Sequence, residues 1–201
     1  IGLQGDLLQR GFLKMNDYFE SLKAPIFLEP NNFTPLCRTP WASQVIGNKY
    51  KSHLIPNTSD QYIGESWEFS CDPNFASKLR DLPLSLENFI RLYPEEVLSK
   101  KIFEEQGRQP YSPILLKLLS AKYPLSIQIH PDDTDPSLQL DECGKPESWL
   151  ILDSLPGSGV YLGPKSKDSL NKILTTNKKD IDFSNYLQFV PVNKYDYFEV
   201  P

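Results

Sequence analysis

A glutamine, a histidine and a glutamate in the middle of the chain carry side chains that could bind a metal ion. Gln128 and His130 are two residues apart in an apolar run, so in a β-strand both side chains would leave the same face. Glu147 follows 17 positions later (147 − 130) and opens a second apolar run. Two neighbouring strands would then direct an amide oxygen, an imidazole and a carboxylate to one point. This donor set favours Zn²⁺ and, less decisively, Mn²⁺ or Fe²⁺.

The composition is that of an ordinary globular protein. The chain has 201 residues, 39% of them hydrophobic, which is enough for a core and predicts one domain. The 18 prolines against 10 glycines favour many short strands and turns over long helices. A net charge of −5 argues against a nucleic-acid partner, and no apolar run approaches transmembrane length, so no membrane partner is expected. An anionic substrate would need local positive charge.

Two further features bear on location and on the start of the chain. Cys37, Cys71 and Cys143 are odd in number and form no C-x-x-C pair, which predicts reduced thiols in a cytoplasmic protein. Met15 is the only methionine. Residues 1–14 are therefore expected to be a vector-derived or disordered leader; the alternative is a short native helix.

The apolar patterning predicts a mainly β fold with a few short helices. The expected strands cover 25–30, 67–71, 114–119 and 125–130, the last two as inner strands, and a closing hairpin joins 187–192 to 195–201. The expected helices cover 85–94, 94–102 and 166–176, with Ser85 as an N-cap and a helical turn at 135–142. Short antiparallel strands around an inner metal set describe a cupin-type jelly roll.

Seven segments between about Pro25 and Pro201 match motifs of one known protein family, in the same order and with the same spacing. Around the candidate ligands they are Leu125–Asp133, Gly144–Trp149 and Tyr161–Gly163; upstream they are Pro25–Pro30, Thr39–Ser43, Ile63–Asn74 and Ser112–Ala121. Together these segments closely resemble type I mannose-6-phosphate isomerases (phosphomannose isomerases). The whole series is far more specific than any one motif.

The resemblance implies both a reaction and a cofactor. The family interconverts mannose 6-phosphate and fructose 6-phosphate through a cis-enediol, so the implied partner is a phosphosugar. Carried over residue by residue, Gln128, His130 and Glu147 become metal ligands, with one Zn²⁺ per chain. Gln128 is the ligand that differs most between branches of the family.

The resemblance also implies roles for neighbouring residues. Lys145, in Gly-Lys-Pro-Glu, matches a family lysine beside the metal and is expected to attract the phosphate or to assist proton transfer. The resemblance implies a catalytic role for His130 as well, because it would be a metal ligand. Ser126 matches a serine considered a phosphate contact in related enzymes.

The last residues resemble a segment that precedes further functional residues in the family. Asn193–Pro201 matches the stretch before the family's next ligand histidine, and a catalytic arginine follows later. Residues 15–201 are thus expected to be the N-terminal portion of a catalytic domain, with a jelly roll incomplete at its C-terminus. A chain ending at Pro201 would bind zinc weakly and have little isomerase activity. A monomer or weak dimer is expected.

Simpler alternatives remain for each assignment. His130 could be a hydrogen-bonded structural residue, and Glu147 a solvated carboxylate at a strand end. Asp132 and Asp133 are expected to cap the turn after His130, and His53 to lie in a solvated loop. The whole chain could be a non-catalytic cupin that binds a sugar or a metal. A cupin epimerase or dioxygenase is disfavoured, because those enzymes usually carry H-x-H followed closely by Glu.

Overall fold

The computed structural model describes residues 25–139, 143–177, 179 and 181–200. The chain divides into two compact units, Ile1–Ser126 and Ile127–Pro201. The predicted leader, residues 1–14, lies outside the described residues. The prediction of a single catalytic domain over 15–201 stays a prediction. In the described part of the chain, no helix combines the length and apolar character that crossing a bilayer requires.

The first unit combines one antiparallel strand pair with short helices. Strand β1 (Glu65–Phe69) pairs with β2 (Leu116–Leu119), and Trp67 lies opposite Lys117. A π-helix covers Ile46–Lys51, and the α-helices are α1 (Leu86–Leu92), α2 (Pro94–Leu98) and α3 (Lys100–Glu105).

Helix α1 forms where the sequence predicts it. The hydroxyl oxygen of Ser85 accepts a hydrogen bond from the Asn88 amide at 3.1 Å, which caps the first turn. Three apolar side chains of α1 face inward and form a core cluster of this unit with Leu79 and Tyr93; they are Leu86, Phe89 and Ile90.

The second unit contains two separate antiparallel strand pairs. Strand β3 (Glu147–Leu150) pairs with β6 (Tyr197–Val200), and β4 (Gly159–Pro164) pairs with β5 (Leu187–Pro191). Helix α4 (Lys167–Thr175) follows β4, and the Ser166 hydroxyl caps it. A 3₁₀ turn covers Phe183–Asn185. The predicted fold class of short antiparallel strands with a few short helices is confirmed.

Alternation along β3 and β6 gives their ribbon two different faces. Glu147 lies opposite Val200 and Trp149 opposite Phe198, and these four side chains are half-buried on one face. The other face is exposed and carries the pair Leu150 and Tyr197. Glu147 therefore belongs to the more protected face of the ribbon.

Several sequence predictions are wrong in detail. No residue of 125–130 belongs to a strand, and Ile129 is 88% exposed, so this is not an inner strand. Residues 116 and 119 of β2 are also exposed. The hairpin predicted for 187–201 does not form, because β5 pairs with β4 and β6 with β3.

Three smaller predictions also differ from the structure. The strand predicted for 25–30 is reduced to a single bridge between Leu28 and Leu79. The helix predicted for 94–102 is broken at Ser99, whose φ of 70° is incompatible with a continuous α-helix. In place of the helical turn predicted for 135–142, a turn occupies 136–137, and residues 140–142 lie outside the described residues.

Candidate functional site

Three of the predicted site residues converge at the start of β3. His130 Nε2 lies 3.4 Å from Glu147 Oε1. Lys145 Nζ lies 2.9 Å from the same carboxylate oxygen and 3.3 Å from His130 Nε2. The side chains of His130 and Glu147 are about one-fifth exposed, whereas that of Lys145 is 45% exposed. An imidazole, a carboxylate and an ammonium therefore share one small, partly protected site.

Local sequence explains how Lys145 and Glu147 come to the same side. Lys145 precedes Pro146, and a residue before proline is restricted to extended conformations. In an extended chain, side chains two residues apart leave the same face. The ammonium and the carboxylate are thus placed side by side by their own segment, and β6 fixes Glu147 through its pairing with Val200.

The segment after His130 holds the opposite side of the site. Asp132 Oδ1 accepts hydrogen bonds from the Thr134 amide and hydroxyl at 2.7 and 2.6 Å, which lowers the pKa of Asp132 and confirms its predicted role as a turn cap. Asp133 makes a different contact: its Oδ1 accepts a hydrogen bond from the Gly144 amide at 2.8 Å. The Lys145 amide also donates to the Pro131 carbonyl at 3.1 Å.

The roles predicted for the remaining residues stay predictions, apart from that of His53. Gln128 is exposed and precedes His130 by two residues, so its place among the metal ligands stays a prediction. Ser126 is exposed and is the last residue of the first unit, and its phosphate contact also stays a prediction. His53 is exposed in a turn, as predicted.

The two inner donors fit a metal ion in their chemistry and spacing. Zinc–nitrogen and zinc–oxygen bonds of about 2.0–2.2 Å at a tetrahedral angle place two donors about 3.4 Å apart. His130 Nε2 and Glu147 Oε1 have this separation. In the described residues, no group of three or more His, Cys, Asp or Glu side chains could hold a metal. The predicted third donor, Gln128, is of another type.

The contact between Lys145 and His130 involves the imidazole nitrogen that a metal would use. A lysine ammonium has three donors and no acceptor, so it can donate to His130 Nε2 in the tautomer that carries the ring proton on Nδ1. In that tautomer the Nε2 lone pair is also the one that would coordinate a metal.

The acidic residues of β1 serve the architecture of the first unit. Trp67 Nε1 donates to Glu65 Oε2 at 2.8 Å, and Lys117 Nζ lies 3.2 Å from Glu65 Oε1. The buried Lys51 ammonium lies 2.7 Å from Glu68 Oε2. These carboxylates are satisfied by structural partners within β1 and on neighbouring elements.

Sequence reasoning missed the contact between Asp133 and Gly144. The signal available in the sequence was a glycine directly before the Lys-Pro-Glu motif. Its partner is 11 residues away, and nothing in the spacing identifies which acidic residue approaches it.

Comparison with known proteins points to one family. Residues 40–157, more than half of the chain, match the model of the phosphomannose isomerase type I catalytic domain. The matched range contains the predicted ligands and Lys145.

Individual relatives agree with this match. The chain is 27% identical over 157 residues to a mannose-6-phosphate isomerase of Streptococcus mutans, covering 77% of this chain and 47% of that protein. It is 31% identical over 143 residues to a mannose-6-phosphate isomerase of Candida albicans, covering 67% and 31%. The chain spans about half the length of the first curated relatives it matches.

A solved structure has a similar fold. It is described as that of "a putative mannosephosphate isomerase" from Archaeoglobus fulgidus, and it superimposes with a TM-score of 0.60 at 23% identity. The match covers 90% of this chain and 57% of the other. At this level of identity the likeness concerns the fold.

Proposed function

The chain belongs to the type I phosphomannose isomerase family, and on that premise we propose that it takes part in the metal-dependent interconversion of mannose 6-phosphate and fructose 6-phosphate. The observation that carries the proposal is the convergence of His130, Lys145 and Glu147 inside the matched range. An aldose–ketose isomerase needs a proton carrier and stabilisation of a developing oxyanion. An amine beside two metal-compatible donors meets both needs.

His130 and Glu147 would hold one Zn²⁺ per chain, with Gln128 as a third ligand. When bound, the ion would supply Lewis-acid polarisation of the substrate's carbonyl and hydroxyl oxygens. The half-buried setting of His130 and Glu147 limits competition from water. His130 counts as catalytic in this proposal because it would hold the ion at the reacting oxygens.

The proposed chemistry is a redox-neutral rearrangement through a cis-enediol in which two protons change position. A base takes the proton from C2 and returns it to C1, while a second proton passes from the C2 hydroxyl oxygen to the C1 oxygen, so that the C1 carbonyl becomes a hydroxyl and the C2 hydroxyl a carbonyl. Lys145 has two proposed roles, proton carriage or attraction of the phosphate, the latter shared with Ser126. Loss of kcat on substitution would mark proton carriage, whereas a rise in KM alone would mark phosphate attraction.

The proposed setting follows from the same reasoning. The proposed partner is a phosphosugar. Because the net charge of the chain is −5, the phosphate would have to be held by local positive charge. We propose a monomer or weak dimer in the cytoplasm. The proposed location rests on the sequence, in which three cysteines, odd in number and without a C-x-x-C pair, favour a reducing compartment.

A non-catalytic module that binds a sugar or a metal is the second candidate. It is favoured by the lack, within the described residues, of a cluster of three His, Cys, Asp or Glu ligands. Weak coordination by two such donors and an amide would be compatible with binding without turnover.

One experiment separates the two candidates. Metal content is measured by mass spectrometry on the purified chain, and mannose 6-phosphate turnover is followed in a coupled assay. Zinc with turnover supports the isomerase; zinc or sugar binding without turnover supports the module. A chain that binds neither zinc nor mannose 6-phosphate contradicts both.

A further inference from the structure

We infer that Asp133 and Gly144 form a clamp that positions the two proposed metal ligands, although neither residue is a ligand itself. The clamp joins the segment after His130 to the segment before Glu147. This inference rests on the proposed metal role of those two residues. It assigns Asp133 and Gly144 as positioning residues.

Two hydrogen bonds close the clamp. The Gly144 amide donates to Asp133 Oδ1 at 2.8 Å, and the Lys145 amide donates to the Pro131 carbonyl at 3.1 Å. Because the first acceptor is a carboxylate oxygen, its hydrogen bond is charge-assisted and stronger than a neutral one. Successive amides of one segment are thus tied to the other segment, one by a backbone carbonyl and one by a side chain.

Glycine is required at position 144 because there is no room for a Cβ, and not because of its backbone conformation. Its φ lies outside the left-handed region, yet a Cβ at this position would lie 2.7 Å from the Asp133 nitrogen and 2.8 Å from the Asp132 carbonyl carbon. Real Cβ atoms do not approach backbone atoms so closely, so any side chain would push the two segments apart. Gly144 is also buried, unlike Lys145 beside it.

The clamp lies close enough to the ligands to control their separation. Pro131 follows His130 directly, and Lys145 is two residues before Glu147. Opening the clamp would let the 3.4 Å separation of His130 Nε2 and Glu147 Oε1 increase. A metal needs both donors at bond length at once, so its affinity depends on this separation.

The test measures Zn²⁺ affinity of the full chain by competition with a chromogenic chelator. Asp133→Ala and Gly144→Ala should each weaken binding by about 10- to 100-fold, the range seen when groups that orient metal ligands are removed. Asp133→Asn keeps an acceptor oxygen and should stay within about threefold of the unsubstituted chain. Asp132→Ala is the matched control, because Asp132 caps only its own turn, and it should also stay within about threefold.

A second measurement reports on the clamp without metal. Amide hydrogen exchange at Gly144 should be slow in the unsubstituted chain and in Asp133→Asn, and fast in Asp133→Ala. Circular dichroism and thermal melting of the metal-free variants check that the fold is retained.

The outcomes separate the clamp from the proposed function. If His130→Ala abolishes zinc binding while Asp133→Ala and Gly144→Ala bind normally, the clamp is refuted and the ligand set stands. If the unsubstituted chain binds no zinc, both are overturned. If Asp133→Ala loses affinity and Asp133→Asn does not, the clamp is supported.

Discussion

Lys145 Nζ lies 2.9 Å from Glu147 Oε1, so the positive charge at the centre of the site is an ammonium ion. The same ammonium lies 3.3 Å from His130 Nε2. With His130 and Glu147 as the proposed metal ligands, Lys145 and a divalent ion would compete for the same donors. The lysine, whose side chain is 45% exposed, would then have to turn away when a metal binds.

Replacing Lys145 should strengthen metal binding while weakening turnover. Lys145→Met removes the competing charge and keeps most of the apolar stem. Relief of a partly exposed ion pair worth about 0.2–1 kcal/mol corresponds to a gain of about 1.4- to 5-fold in Zn²⁺ affinity. Chelator competition measures the affinity. Lys165→Met, in which the lost hydrogen bond is to the Asn185 carbonyl, is the control and should not change it. Weaker zinc binding by Lys145→Met would contradict the competition.

Replacing His130 should remove most of the bound metal. His130→Ala deletes the only imidazole at the site, and Glu147 alone cannot hold zinc tightly. The zinc-to-protein ratio is measured by mass spectrometry after dialysis. His53→Ala is the matched control, since His53 is the other histidine of the chain and lies in an exposed turn. Equal zinc in both variants would refute the ligand set.

The ion pair between Lys51 and Glu68 should respond unequally to removal of its two partners. The Lys51 side chain is 3% exposed and that of Glu68 27%. Glu68→Gln leaves an ammonium buried opposite a neutral group and should cost about 3 kcal/mol of unfolding free energy. Lys51→Met leaves a carboxylate that reaches water and still accepts from Ser66, so it should cost about 1 kcal/mol. Urea unfolding of both variants and of the double variant measures the difference. Equal losses of unfolding free energy in the two single variants would contradict the inference that the Lys51 ammonium is more deeply buried than the Glu68 carboxylate.

Truncating Phe89 should destabilise the first unit. Phe89 is 1% exposed and packs against Tyr93 with ring centroids 5.4 Å apart. Phe89→Ala should lower the unfolding free energy by about 3–5 kcal/mol, because it leaves a cavity in the core. Leu92→Ala, in the same helix at 39% exposure, is the control and should cost much less. Similar costs for the two variants in urea unfolding would mean that this cluster is not the core.

The three thiols should differ in reactivity. Burial raises the pKa of Cys71 above its ordinary value. A hydrogen bond with the Ser112 backbone lowers this pKa by a smaller amount, and the nearby Glu87 carboxylate raises it. Less of Cys71 is then thiolate at a given pH, and the thiolate is the nucleophile. Iodoacetamide labelling at pH 8 should modify Cys71 more slowly than the exposed Cys37 and Cys143. Peptide mass spectrometry measures the rates. Faster labelling of Cys71 would contradict the assignment.

Local signals in the sequence predicted local structure well. Helix α1 follows from Ser85 and the apolar spacing after it, and the helix at 167–175 follows in the same way from Ser166. Strand pairing was predicted poorly, because it depends on contacts distant in sequence. Nothing near 187–200 indicates that β5 pairs with β4 and β6 with β3. The apolar run at 125–130 resembles a strand, but a strand also needs a partner.

The site was predictable as far as residue types and a family resemblance allowed. His130, Lys145 and Glu147 were chosen from the sequence, and the structure brings them within 3.4 Å of one another. The clamp between Asp133 and Gly144 was not predictable, because a Cβ clash with another segment leaves no mark in spacing or composition. Glycine usually suggests a positive φ, and here that signal was absent.

A hydrogen bond joins Asp133 and Gly144, the residues that flank segment 134–143. A change in the length of that segment therefore need not change the geometry of the site. The entropic cost of closing a loop rises only slowly as residues are added. This segment is therefore a place where homologous proteins can differ in length, and where an engineer can insert a reporter peptide, while the imidazole and the carboxylate keep their spacing.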